Sequence, residues 1–331
     1  MWTKNVICFC FLLAFPCFVH AQQMTAFSGW RGQEFRYNPG MTSTDRQGRV
    51  YALYQQEWSG FEDAPLTIQL GGQLPVKNQP FSLGAYLEID HVLPLRQNTL
   101  GFTYAYHLGG YGRGLRGGNR TFLKRTRAQL SLGVGASFQQ IFLDPTQLVL
   151  TDAGDQALPA AEVGLNVPNF DAGLLYSSVP GGPLDQSYAF VGLGFRQIMS
   201  QRLELRPDAE LSGLLNRSPH GNIVVGYQFL DENLLVRSQL WISLADNAPG
   251  ETQLSVDALL NNSLSAAFSY RLSQTLALRF GYVLPQGDDG TKNIRLGLQG
   301  VFNLGAGTAV RGLGYSFFIA YEFGNNSEVS N

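Results

Sequence analysis

Beyond residue 21 the chain contains no cysteine; Cys8, Cys10 and Cys17 all precede it. That excludes disulfides, thiolate metal sites and cysteine nucleophiles from the rest of the sequence. Lysine is scarce, and with a net charge of only −2 there is no broad basic field to condense on nucleic acid. Histidine is scarce as well. After residue 21 only His91, His107 and His220 remain, without the HExxH spacing of a zinc site, and no GxSxG nucleophile elbow occurs. Long apolar runs are missing too: past Ala21 no 18 consecutive residues are apolar, so no spanning helix is expected there. The sequence predicts no catalytic residue, no cofactor and no metal site. A hydrolase built on His91 or His107 stays a formal alternative only.

What the chain has in quantity is glycine, 38 residues, and aromatics, with 22 Phe, 14 Tyr and 4 Trp. At 44% hydrophobic and 15% charged it is not a disordered chain. Residues 1–21 combine Lys4, an apolar stretch from Val6 to Val19 and a small-residue site ending at Ala21, which reads as a cleaved secretory signal. An exported chain of this size without cysteine fits a Gram-negative envelope better than an animal secreted protein.

The dominant pattern is alternation with period two over segments of about ten residues. Leu66, Ile68, Leu70 and Leu74 alternate with Thr67, Gln69, Gly71 and Gln73; Leu100, Phe102, Tyr104, Tyr106 and Leu108 alternate with Gly101, Thr103, Ala105 and His107. Fifteen such segments run from about 49 to 323, among them 201–214, whereas a closed single-chain bacterial barrel needs an even number. The polar face carries Gln, Ser, Thr, Asn and Gly rather than the Lys and Glu of a surface in bulk water. It therefore reads as a confined wet lumen. Segments of this length suit a tilted strand crossing a bilayer, and Trp58, Tyr106, Trp241, Tyr270, Tyr282 and Tyr321 are expected in interfacial girdles. The fold class predicted is all-β, a transmembrane antiparallel up-and-down β-barrel of 14 strands, with 16 as the alternative. Its expected parts are a signal peptide (1–21), a periplasmic N-terminal segment (22–48), an outer-membrane barrel (49–323) and a short polar tail (324–331). On the last strand Tyr315, Phe317, Ile319, Tyr321 and Phe323 share one face, like the aromatic-ended strand that outer-membrane barrels present to their insertion machinery.

Two long connections stand out. Gly109–Arg127 holds Arg113, Arg116, Arg120, Lys124 and Arg125 among glycines, and is read as an anion-contact loop or simply a solvated one. The stretch from Asp144 to Asn169 could fold inward or lie over the rim.

Tyr37-Asn38-Pro39-Gly40 followed by Trp58-Ser59-Gly60-Phe61, Pro65 and Thr67 resembles the opening signature of the PorP/SprF family of type IX secretion system membrane proteins. Tyr104-Ala105-Tyr106-His107-Leu108, Pro168-Asn169-Phe170-Asp171-Ala172-Gly173 and Leu205-Arg206-Pro207 are similar to further family segments, while Glu57 stands where the family usually has Gln. The resemblance implies an outer-membrane barrel without enzymatic activity, serving the type IX secretion and gliding apparatus. Implied partners are periplasmic and outer-membrane components of that system and the C-terminal domain of a secreted adhesin-like substrate, with outer-membrane lipid around the barrel. Asn38, Pro39, Gly40, Trp58, Gly60, Phe61, Pro65 and Thr67 are the candidate partner-contact residues, structural anchoring being their other reading. A diffusion porin or hydrophobic-substrate channel is the rival function.

Overall fold

A computed structural model describes residues 29–61, 63–77, 79–109, 128–147, 162–179, 186–204, 214–245, 248–286, 292–304 and 312–324. The signal segment 1–21, the cationic residues Arg113, Arg116, Arg120, Lys124 and Arg125, the segment Leu205-Arg206-Pro207 and the tail after Gly324 lie outside the described residues.

Sixteen strands follow in order: β1 (Gly48–Gln56), β2 (Leu66–Pro75), β3 (Phe81–Val92), β4 (Leu95–Leu108), β5 (Gln129–Leu143), β6 (Val163–Ser177), β7 (Tyr188–Arg196), β8 (Gln201–Glu204), β9 (Leu214–Arg217), β10 (His220–Asp231), β11 (Leu234–Ala245), β12 (Ala248–Leu260), β13 (Leu264–Arg271), β14 (Thr275–Gln286), β15 (Lys292–Asn303) and β16 (Leu313–Phe323). Fourteen of them close a barrel, and β8 and β9 pair with each other apart from it. This resolves the odd number of alternating segments, because the described ends of the stretch 201–214, Gln201–Glu204 and Leu214, lie in that small hairpin and not in the wall. Every wall pairing is antiparallel, and β1 closes on β16 with Gly48 opposite Phe323 and Gln56 opposite Tyr315. The start of β1 and the end of β16 thus share one rim, called here the terminal rim; the opposite one is the far rim.

Alternation sorts the side chains. Outside lie Val134, Phe102, Phe280, Leu298 and Phe317, each more than half exposed, while inside lie Gln69, Thr103, Ser131, Gln228, Ser255 and Gln299, all buried. An apolar belt on a closed antiparallel wall is the arrangement that meets hydrocarbon without leaving a backbone donor unpaired. Tyr270, Tyr282 and Tyr321 follow the outward parity, but Trp241 does not. It is 3% exposed and packs inside with Met41, Leu175, Tyr188, Phe190 and Val224, because its neighbours Leu240 and Ile242 take the outward parity of β11. Trp241 is therefore a lumen residue, and its girdle assignment is corrected.

Candidate functional site: a plugged lumen

The segment expected on the periplasmic side, 22–48, has its described part inside the barrel. Two 3-10 turns, Glu34–Arg36 and Pro39–Met41, organise it, and Trp30, Phe35, Asn38, Met41, Thr42 and Ser43 are all buried. Its apolar residues explain the location, since they find partners in the wall. Trp30 stacks on Phe318 at 4.7 Å between centroids, Phe35 meets Tyr86 edge-on at 6.1 Å, and Met41 joins the cluster around Trp241.

Asn38-Pro39-Gly40 rests on a floor of small residues. In register across β4, β5, β6, β7 and β10 stand Ala105, Gly133, Gly173, Gly194 and Asn222, each opposite the next. A Cβ at Gly133 would come within 2.1 Å of the Pro39 carbonyl carbon, and one at Gly173 within 2.0 Å of Asn38 Oδ1. Only glycine lets the two backbones approach this closely. Asn38 fixes the turn from both ends: its Oδ1 accepts from the Gly40 N–H at 2.9 Å and its Nδ2 donates to the Leu174 carbonyl at 3.0 Å. Pro39 occupies the first position of the turn, where a missing N–H costs nothing. Asn222 Nδ2 completes the seat by donating to the Tyr37 carbonyl at 2.8 Å.

Charge holds the other faces. Arg36 pairs with Glu88 of β3, which also accepts from Gln69 Nε2 at 2.9 Å; Gln69 in turn accepts from Gln33 Nε2 at 3.1 Å. Asp45 lies 3.1 Å from Arg49 and 3.5 Å from Arg31, and Arg49 lies 2.8 Å from Glu322 of the last strand. Burial alone would push the Asp45 carboxyl up, but Arg49 and Arg31 outweigh it and hold the group below the usual carboxylate range. Between the plug and β11–β15 a gap of about 60 Å³ remains, lined by Trp30, Leu235, Gln239, Ala258, Ala266 and Arg295 among others.

The signature residues divide between two places. Asn38, Pro39 and Gly40 are buried in the lumen, and Thr67 points inward with its Oγ1 donating to Asp90 at 2.7 Å. Trp58, Gly60, Phe61 and Pro65 form the β1–β2 connection at the far rim, where Phe61 is 50% exposed. That connection is tied down: Ser59 donates to the Leu313 carbonyl through its N–H at 3.0 Å and its Oγ at 2.7 Å, and Glu57 N–H bonds the Pro65 carbonyl at 3.0 Å. On β16, Phe317, Ile319 and Tyr321 are exposed on the outer face, which Tyr315 and Phe323 share half-buried. His107 is 2% exposed, with Ser82 Oγ at 2.9 Å from Nε2 and Ser131 Oγ at 2.8 Å from Nδ1, so hydroxyls satisfy both ring nitrogens. His91 lies at the far-rim end of β3, opposite Leu66 and away from His107. Sequence reasoning missed Trp30, Arg36, Arg49, Gly133, Gly173 and Glu322. Gly133, Gly173 and Glu322 carried a signal in the inward parity they share with the polar face, and Gly173 also in the family-like segment that it closes.

Fold and site together define an outer-membrane β-barrel whose lumen is occupied by its own N-terminal segment. Solved structures similar in fold include the toluene transporter TbuX of Ralstonia pickettii (TM-score 0.53, 13% identity, 88% of this chain and 92% of that one), the monoaromatic hydrocarbon channel CymD (0.51, 11%, 92% and 95%) and the toluene transporter TodX of Pseudomonas putida (0.50, 10%, 88% and 93%). At these identities the likeness is one of fold. No curated protein matches the chain. The family model described as "Type IX secretion system membrane protein PorP/SprF" matches residues 19–321, and the chain belongs to that family.

Proposed function

We propose that the protein is a docking or accessory barrel of the type IX secretion and gliding apparatus. It serves the export of proteins such as surface adhesins and performs no chemistry of its own. The observation that carries this reading is the plug: residues 29–47 occupy the lumen and bind the wall through backbone contacts and the ion pairs of Arg36 with Glu88, Asp45 with Arg49 and Glu34 with Arg237, which favours a partner surface over a diffusion path. The hydrocarbon channels supply a second reading through their shared fold. Against it stands the lining of this lumen, where Arg36, Arg49, Glu88 and Glu322 are buried. An apolar solute gains nothing from such a wall. Partner contact is proposed for the exposed far-rim connection around Phe61, and membrane insertion for the aromatic outer face of β16.

The test is affinity purification with crosslinking from native outer membranes, paired with planar-bilayer recording of the purified barrel. Copurification of type IX components with a silent bilayer is the expected result. Steady conductance from a barrel recovered alone would sink the reading.

A further inference from the structure

Buried arginines of the lumen face carboxylates with regularity. Arg36 meets Glu88, Arg49 and Arg295 meet Glu322, Arg237 meets Glu34, and Arg279 meets Asp257. Arg196 and Arg217 break the pattern. Arg196, the last residue of β7, is 7% exposed, and its guanidinium lies 5.3 Å from the Tyr37 ring of the plug. It stands opposite His220 in register, and Arg217 precedes His220 by three residues. Arg217, half-buried, donates to Gln139 of β5, and desolvation together with the neighbouring Arg196 lowers its pKa to about 10. Among the described residues neither arginine is ion-paired. Arg196 Nε and His220 Nε2 have no hydrogen-bond partner, and neither has Asn169 Oδ1 on β6.

A buried guanidinium without a counter-charge is costly, more so beside a second one. Beside Arg196 the described wall carries Asp171, whose Oδ1 already accepts from the Gln197 N–H at 2.9 Å. Among the described residues, two arginines against one aspartate leave a single positive charge to be met, with His220 neutral. That charge count fits a monoanion with two oxygens for the arginine forks, and disfavours a phosphate dianion.

We propose that Arg196 and Arg217, with His220 beside them, form a carboxylate-binding site at the far-rim end of the lumen. The carboxylate comes from an Asp, Glu or chain end of a protein segment reaching in from that rim, or from a small free acid. The site stands whether or not the secretion reading holds.

Thermal unfolding of the full-length barrel in detergent tests it. Sodium acetate is expected to raise the midpoint by about 3 °C near saturation, while sodium chloride at equal ionic strength gives less than a third of that. Arg217→Gln removes the acetate shift while the barrel keeps its folded mobility on gels. If Arg196→Gln does not fold, Arg217→Gln and Arg217→Lys decide. An equal shift from chloride, a larger one from phosphate, or an acetate shift that survives Arg217→Gln overturns the proposal. An aspartate pentapeptide then distinguishes the sources: at least tenfold tighter binding than its asparagine counterpart and than acetate assigns a protein segment, and parity with acetate assigns a free acid.

Discussion

The plug touches two unlike walls. On β5, β6 and β7 it comes close to the wall backbone at Gly133, Gly173 and Gly194, where a Cβ would strike Pro39, Asn38 or the Tyr37 carbonyl. On β11 to β15 it meets long charged side chains and a gap, and there Gln239 Oε1 and Gln299 Oε1 have no hydrogen-bond partner. The first contact is a shape that cannot adjust. The second is a set of charges that water could take over one by one. Position is therefore specified by the glycine floor and retention by the ion pairs, and release of the plug is expected to begin on the charged side.

The largest expected effect comes from Glu322→Gln, in the wall cluster that the plug joins through Asp45 and Arg49. Glu322 sits between Arg49 and Arg295 at 2.8 and 3.5 Å, so neutralising it leaves two buried cations facing an amide. Destabilisation of about 3 kcal/mol is expected, read as a lower denaturant midpoint, and a change near zero would mean that water already screens the cluster. Next comes Gly173→Val. Its new atoms collide with Asn38 and with the Gly40 nitrogen at 2.7 Å, so about 2 to 3 kcal/mol is lost and the plug leaves its seat. Bilayer conductance should then appear in a barrel that was silent. The matched substitution Gly297→Val meets the Trp30 ring at 2.2 Å, but that ring borders the gap and can shift; about 1 kcal/mol and no conductance are expected. Equal effects from the two variants would erase the distinction between the walls.

The wall was readable from sequence because its signal is local. Leu66 to Leu74 or Leu100 to Leu108 show their two faces within ten residues, and the outer-face parity of Phe317, Ile319 and Tyr321 needed no knowledge of the rest. The plug was not readable, because its partners lie far along the chain: Trp30 needs Phe318, Arg36 needs Glu88, and Asn38 needs Leu174. Trp241 misled in part for the same reason. Its aromatic character suits a girdle, but the parity of Leu240 and Ile242 turns it inward, and the partner it finds there, Met41, lies 200 residues away. The alternating glycines were legible as small lumen residues, but what they make room for was not.

Asn38→Ala probes the seat more gently. It removes the acceptor for Gly40 N–H and the donor to the Leu174 carbonyl without adding volume. About 1 to 2 kcal/mol is expected, with the plug still in place and the bilayer silent. Conductance in this variant would show that the polar contacts of Asn38, and not the shape of the floor, set the position.

The smallest expected effect comes from acid. Asp45 has a folded-state pKa held below its unfolded value of about 3.9, so the stability it contributes is present above that value and is lost as pH falls through the lower, folded one. Between pH 8 and 5 it should contribute no slope to the unfolding midpoint; below about pH 4 the midpoint should fall more steeply in the wild-type chain than in Asp45→Asn. At neutral pH that variant should lose about 1 kcal/mol or less, because Arg49 keeps Glu322 at 2.8 Å. Parallel acid curves for the two proteins would show that Asp45 does not retain the plug, and would leave that task to the pairs of Arg36 with Glu88 and Glu34 with Arg237.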